Sequence, residues 1–129
     1  MAQAEQADKS RVIVIVDHGS RSAPANEVVA EMARLVQVRA GDRAEVRYAH
    51  LELGEPSLTR IIDECVASGA IFVSVQPFFL APGKHAGTDI PELVTAAQGR
   101  HPHVRFELGR VIGADPLLAE LIASRCGLS

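Results

Sequence analysis

Two histidines in this 129-residue chain stand where an apolar run gives way to backbone breakers. His18 lies in "DHGSRS", residues 17–22, and His85 in "PFFLAPGKHAGTDIP", residues 77–91. A carboxylate in a similar place is Glu52, in "HLELGEPS", residues 50–57. Imidazole and carboxylate without thiolate form a donor set suited to a divalent first-row metal. Ligands drawn from separate loops leave open positions rather than a closed structural site. Beside His18, Gly19 permits a tight turn, while the loop amides, the Ser20 hydroxyl and the Arg21 guanidinium can receive an anion. The plainer alternative for His18 is a solvated histidine in a connecting loop. Asp89 reads as a helix N-cap with Pro91 in the first turn. His50, two residues before Glu52 and on its face in a regular strand, reads as a satisfied histidine in or near the core. His101 and His103 read as surface residues. No nucleophile elbow or paired-carboxylate motif is present. The glycine pattern is too short for a dinucleotide fingerprint, and no P-loop lysine follows it.

Bringing these residues together requires a particular fold. The segment 11–16, "RVIVIV", is continuously apolar and β-branched, as a strand covered on both faces would be. Further strands are expected over 44–53, more mixed and so nearer an edge, over 70–80, and over 104–112. Between them lie helical periodicities. The first starts at Pro24, carries Val28, Met32, Leu35 and Val36, and ends at "AGD". The second starts at Pro56–Ser57 with a stripe of Leu58, Ile61, Ile62, Cys65 and Val66, closed by Gly69. A third covers about 90–98. The last begins at Asp115–Pro116 with Leu117, Leu118, Leu121 and Ile122 facing inward. Four β-α units call for parallel pairing through right-handed crossovers. The expected result is an α/β three-layer sandwich, a four-stranded parallel sheet with helices on both faces, forming one domain over 11–129 behind a frayed polar tail, 1–10. In such sheets ligands bind beyond the carboxyl ends of the strands, the edge on which His18, Glu52 and His85 fall. Pro77 is out of place in a central strand, because it removes a ladder donor.

The composition narrows the function. Net charge is −3, without a basic run, so no field recruits nucleic acid. No stretch approaches the ~20 apolar residues of a membrane span and no signal pattern opens the chain, which leads us to expect a cytoplasmic protein. Cys65 and Cys126 have no metal or redox spacing, and Cys65 falls on the apolar face of its helix.

Taken in order, "VDHGSR", "HLELGEPS" and "PFFLAPGKHAGTDIP" resemble the short single-domain sirohydrochlorin chelatases, of ferrochelatase or cobaltochelatase type, from residue 12 to about 121. The likeness is closest to the ferrochelatases of plants and cyanobacteria. It implies a chelatase-like fold, a homodimer, and lyase activity that inserts Fe²⁺ or Co²⁺ into sirohydrochlorin for sirohaem or cobalamin. It makes His18 and His85 the metal-holding catalytic residues and Glu52 an acidic residue near the metal. Gly19, Ser20, Arg21, Gly83 and Lys84 would face the macrocycle. No organic cofactor is implied; the divalent metal is a substrate. Two departures stand out. Cys126 alone near the end leads us to expect no iron–sulfur cluster, and Ala86, Gly87 and Thr88 replace the larger residues common after this histidine. A rival reading keeps the fold but makes the chain a non-catalytic carrier or sensor of metal or tetrapyrrole.

Overall fold

The computed structural model describes residues 6–81, 83 and 86–128. The chain order is β1 (Arg11–Gly19), α1 (Ala23–Ala40), β2 (Glu45–Leu53), α2 (Leu58–Ala67), β3 (Phe72–Pro77), α3 (Ala86–Arg100), β4 (Arg105–Leu108) and α4 (Pro116–Arg125). The four strands form one parallel sheet in the order β2-β1-β3-β4. The β-branched run 11–16 is thus interior, and the mixed strand β2 is an edge, as their compositions require.

Alternation along β1 sends Val12, Val14 and Val16 to one face and Ile15 to the other. The first face is covered by Leu58, Ile61, Ile62 and Cys65 of α2 and by Ile90 and Ala97 of α3. The second is covered by Val29, Ala33 and Ala40 of α1. Burial on the inner face of α2 raises the Cys65 thiol to about 11, so this cysteine packs rather than reacts.

Several sequence expectations need correction. The buried row of α1 is Val29, Ala33, Gln37 and Ala40, whereas Val28 and Leu35 are 56% and 46% exposed. Small residues let α1 lie close to the sheet, and the Gln37 amide locks it there by donating to Ala44 O (2.9 Å) and accepting from Val46 N (2.8 Å). The apolar face of α4 is also not inward: Leu117, Leu121 and Ile122 are 74%, 46% and 58% exposed, and α4 buries none of its residues. Strand β3 stops at Pro77, which has no N–H, although Phe78 N–H still reaches Val16 O at 2.7 Å. Strand β4 is shorter than 104–112; beyond it, Gly109 N–H bonds Val75 O and Ile112 N–H bonds Phe79 O. Helix α3 begins at Ala86, so Asp89 is not its cap but a first-turn acid favoured by the helix dipole, with Pro91 inside the helix. The N-terminal tail is not frayed through residue 10. Ala7 is buried, Asp8 N–H bonds Asp42 O, and Ser10 O accepts from Ile71 and Phe72.

His101 is half-buried rather than a surface residue, and ties α2 to the end of α3. Its Nε2 lies 2.8 Å from Asp63 Oδ1, to which Arg100 also donates at 3.0 Å. These partners, His101 first, hold the Asp63 carboxyl below its ordinary pKa of 3.8. A depressed carboxyl stabilises the fold above that value and loses its contribution as pH falls through the lowered one. Asp63 is 46% exposed, so Asp63→Asn is expected to cost less than about 1 kcal/mol at pH 7. Urea titrations of both proteins should draw together as pH falls below 3.8 and meet only below the lowered pKa; a difference that persisted there would place the effect elsewhere.

Candidate functional site

Sheet order fixes where a site can form. From the central β1 the chain passes to β2 on one side and resumes at β3 on the other, so the loops after β1 and β3 leave for opposite faces. Such a switch point opens a crevice at the carboxyl edge. His18 and residues 78–81 lie at that edge.

The pairing of β1 with β2 changes there. Asp17 stands opposite His50, but Gly19 stands opposite Leu53, so Leu51 and Glu52 together face His18. A bulge of this kind bends the strand and re-aims its side chains. Gly19 has φ +86°, and a Cβ on it would overlap the carbonyl oxygen of Leu53. No other residue type fits that close approach.

His18 is exposed, and its ring centroid lies 4.5 Å from that of Phe79, tilted by 57°. The two rings share an open cavity of about 300 Å³ with Asp17, Ser20, Asn26 and Phe78. The loop beneath is pinned by Asn26: Ser20 N–H donates to its Oδ1, and its Nδ2 donates to Ser20 O, both at 2.7 Å. This corrects one expectation, since the Ser20 amide is committed to Asn26 and is not free for an anion. The Ser20 hydroxyl accepts from Ser22 N–H at 3.0 Å, and Arg21 is exposed at the rim.

Directly before His18, Asp17 Oδ1 lies 2.6 Å from Nδ1 of His50. His50 is 1% exposed and meets Tyr48 edge-on at 5.8 Å. The plain reading of His50 as a satisfied buried histidine therefore holds, and its partner is Asp17. The expectation that His50 and Glu52 share a face does not: the bulge separates a buried imidazole from an exposed carboxylate.

Glu52 lines a second open cavity of about 300 Å³ with Leu51, Asp89, Glu92 and Leu93. It stands opposite His18 in the bulge but lines a different cavity. Gly83 is exposed with φ +64°; Lys84 and His85 lie outside the described residues. Among the described residues, no three His, Cys, Asp or Glu side chains gather closely enough to hold a metal, and no helix is long and apolar enough to cross a membrane. Sequence reasoning missed Asp17, Asn26 and Phe79 as parts of this site. The available signals were an aspartate at the end of an apolar strand and an asparagine in a helical first turn, where its side chain favours local backbone bonds.

A doubly wound sheet with an exposed imidazole at its switch point defines a class of small α/β proteins that handle ligands on the carboxyl edge. Comparison with known proteins makes the class specific. The family model CbiX matches residues 12–127, and the chain belongs to the CbiX family. It is 37% identical over 113 residues to the chloroplastic sirohydrochlorin ferrochelatase of Arabidopsis thaliana, covering 88% of this chain and 50% of that protein. It is 32% identical over 128 residues to the sirohydrochlorin cobaltochelatase of Methanothermobacter thermautotrophicus, covering 88% of each. Its fold is similar to that of the sirohydrochlorin chelatase SirB from Bacillus subtilis subspecies spizizenii, in complex with cobalt, with TM-score 0.82 and 30% identity over 92% of this chain and 50% of that one. The chain spans half or less of the length of the first curated relatives it matches.

Proposed function

We propose that this chain is a chelatase that inserts Fe²⁺ or Co²⁺ into sirohydrochlorin, in sirohaem or cobalamin biosynthesis. The observation that carries the reading is the coincidence of family membership with an exposed histidine, His18, at the switch-point edge, above a cavity walled by aromatic rings. Metal insertion exchanges two pyrrole N–H protons for one divalent cation, so the site needs a loosely held metal and a proton acceptor beside it. An imidazole has a pKa near working pH and serves either task. In this reading His18 and His85 hold the metal with positions left open. One of them, or Glu52 across the bulge, takes a pyrrole proton. The absence of thiolate donors from this set suits a metal that must be released. Arg21, Lys84, Gly83, Gly19 and the Ser20 hydroxyl face the substrate's carboxylates, with Arg21 supplying a planar fork. No organic cofactor takes part, and a substrate bearing several carboxylates is water-borne, consistent with work in the cytoplasm.

A cavity of about 300 Å³ cannot enclose a tetrapyrrole. We therefore assign the working form as a homodimer, with the exposed apolar residues of α1 (Val28, Leu35) and α4 (Leu117, Leu121, Ile122) available for pairing. Light scattering should return twice the 13.8 kDa chain mass, falling to the monomer in Leu121→Asp or in Val28→Asp. A monomeric wild type would exclude the assignment.

Anaerobic absorbance of sirohydrochlorin with Fe²⁺ and then Co²⁺, with and without protein, tests the activity. A metallation rate above background with either metal is expected, and the faster metal identifies the pathway. Tetrapyrrole binding without any acceleration would make the chain a carrier or sensor instead.

A further inference from the structure

The structure contains a part-buried polar pair that the proposed reaction does not use. Asp17 and His50 are direct partners across β1 and β2, the last regular pair before the register slips. Their side chains meet at 2.6 Å, with His50 1% exposed and Asp17 among the residues lining the His18 cavity. With the carboxylate oxygen accepting, the imidazole donates from Nδ1. Beyond this pair the chain departs from regular sheet. His50 N–H points away from β1 to bond Pro56 O at 2.8 Å, which folds the turn after β2 back against the strand. Gly19 and Leu53 then bring the strands back together.

A bulge adds one residue to one strand, and ladder bonds alone define poorly which residue is the extra one. A short hydrogen bond to a buried imidazole is directional, and it marks one register. The segment it marks holds His18 on β1 and Glu52 on β2, the described residues to which the reaction assigns metal binding and proton removal.

We propose that Asp17 and His50 are positioning residues for metal insertion: their hydrogen bond fixes the bulge that carries His18 on one strand and Glu52 on the other. The pair acts through geometry, and neither residue need touch the metal. The inference rests on the chelatase reading, so its test measures metal binding separately from turnover.

The informative variants change the donor while keeping bulk, or the acceptor while keeping shape. His50→Phe fills much of the imidazole volume without a donor, whereas His50→Asn offers an amide N–H near the place of Nδ1. Asp17→Ala removes the acceptor; Asp17→Asn keeps an oxygen there. Each full-length protein is titrated anaerobically with Co²⁺ by absorbance, alongside its thermal melt. His50→Phe and Asp17→Ala are expected to weaken Co²⁺ binding per folded molecule about tenfold, the lower end of what supporting partners of metal ligands contribute. His50→Asn and Asp17→Asn should recover most of that loss. In a His18→Ala background, Asp17→Ala should weaken binding no further. If His50→Phe does not fold, the two Asp17 variants still decide the matter. Wild-type affinity in folded His50→Phe or Asp17→Ala would overturn the proposal. Equal losses in Phe and Asn, or in Ala and Asn, would also overturn it by making the effect one of packing. The wild-type metallation rate is measured in the same series. Its absence with the Co²⁺ pattern intact would remove the chelatase reading while leaving the positioning role.

Discussion

Substituting His18 by alanine is expected to lower the rate of metal insertion into sirohydrochlorin at least about a hundredfold, the lower range for loss of a positioned acid, base or ligand. The same substitution should move Tm by less than about 2 °C, because exposed residues outside caps and networks contribute little to stability. His18 is exposed, and its one described ring contact is with Phe79. Loss of activity with an intact fold therefore separates chemistry from packing. Absorbance of sirohydrochlorin during metal insertion and melting curves on the same preparation provide both readouts. Activity within threefold of wild type would remove His18 from the site.

Gly19→Ala should have the opposite profile, damaging the fold first. The position combines φ +86° with a backbone approach so close that a Cβ would overlap the Leu53 carbonyl. A left-handed conformation costs a non-glycine residue roughly 1–2 kcal/mol. Relieving a backbone clash requires β1 and β2 to part at the bulge, so the total should reach about 3 kcal/mol or more. Gly41 is the control. It also has positive φ, +61°, but a Cβ there meets nothing within 4 Å, so Gly41→Ala should show only the conformational cost. Urea denaturation of the two variants would settle the comparison. Equal losses would mean that the approach of Gly19 to Leu53 relaxes freely.

The parts of the fold legible in the sequence were those in which one residue property decides the outcome. A β-branched run buried on both faces had to be interior, and it is β1. The stripe of Leu58, Ile61, Ile62 and Cys65 had to face a core, and it does. Helix α1 misled because its inward row is small or polar, its fit resting on close approach and on the Gln37 amide rather than on apolar bulk. Helix α4 misled for a different reason: an apolar stripe shows that a face is to be covered, but not whether this chain covers it. At the site, His18 and Glu52 could be placed on the correct edge from strand ends alone. Their separation into two cavities could not, because it follows from a one-residue bulge that leaves no trace in composition. The Asp17–His50 bond was hidden for the same reason, since register must be known before residues 33 positions apart can be paired.

The most direct test of the account is the anaerobic rate at which sirohydrochlorin gains Co²⁺ or Fe²⁺ in the presence of wild type, His18→Ala, His85→Ala and no protein, followed by absorbance. Wild type is expected to accelerate insertion clearly, and the rate is expected to fall to near background in each histidine variant. Acceleration that survived in both variants would contradict the two-histidine site, and no acceleration by wild type with either metal would contradict chelatase activity itself.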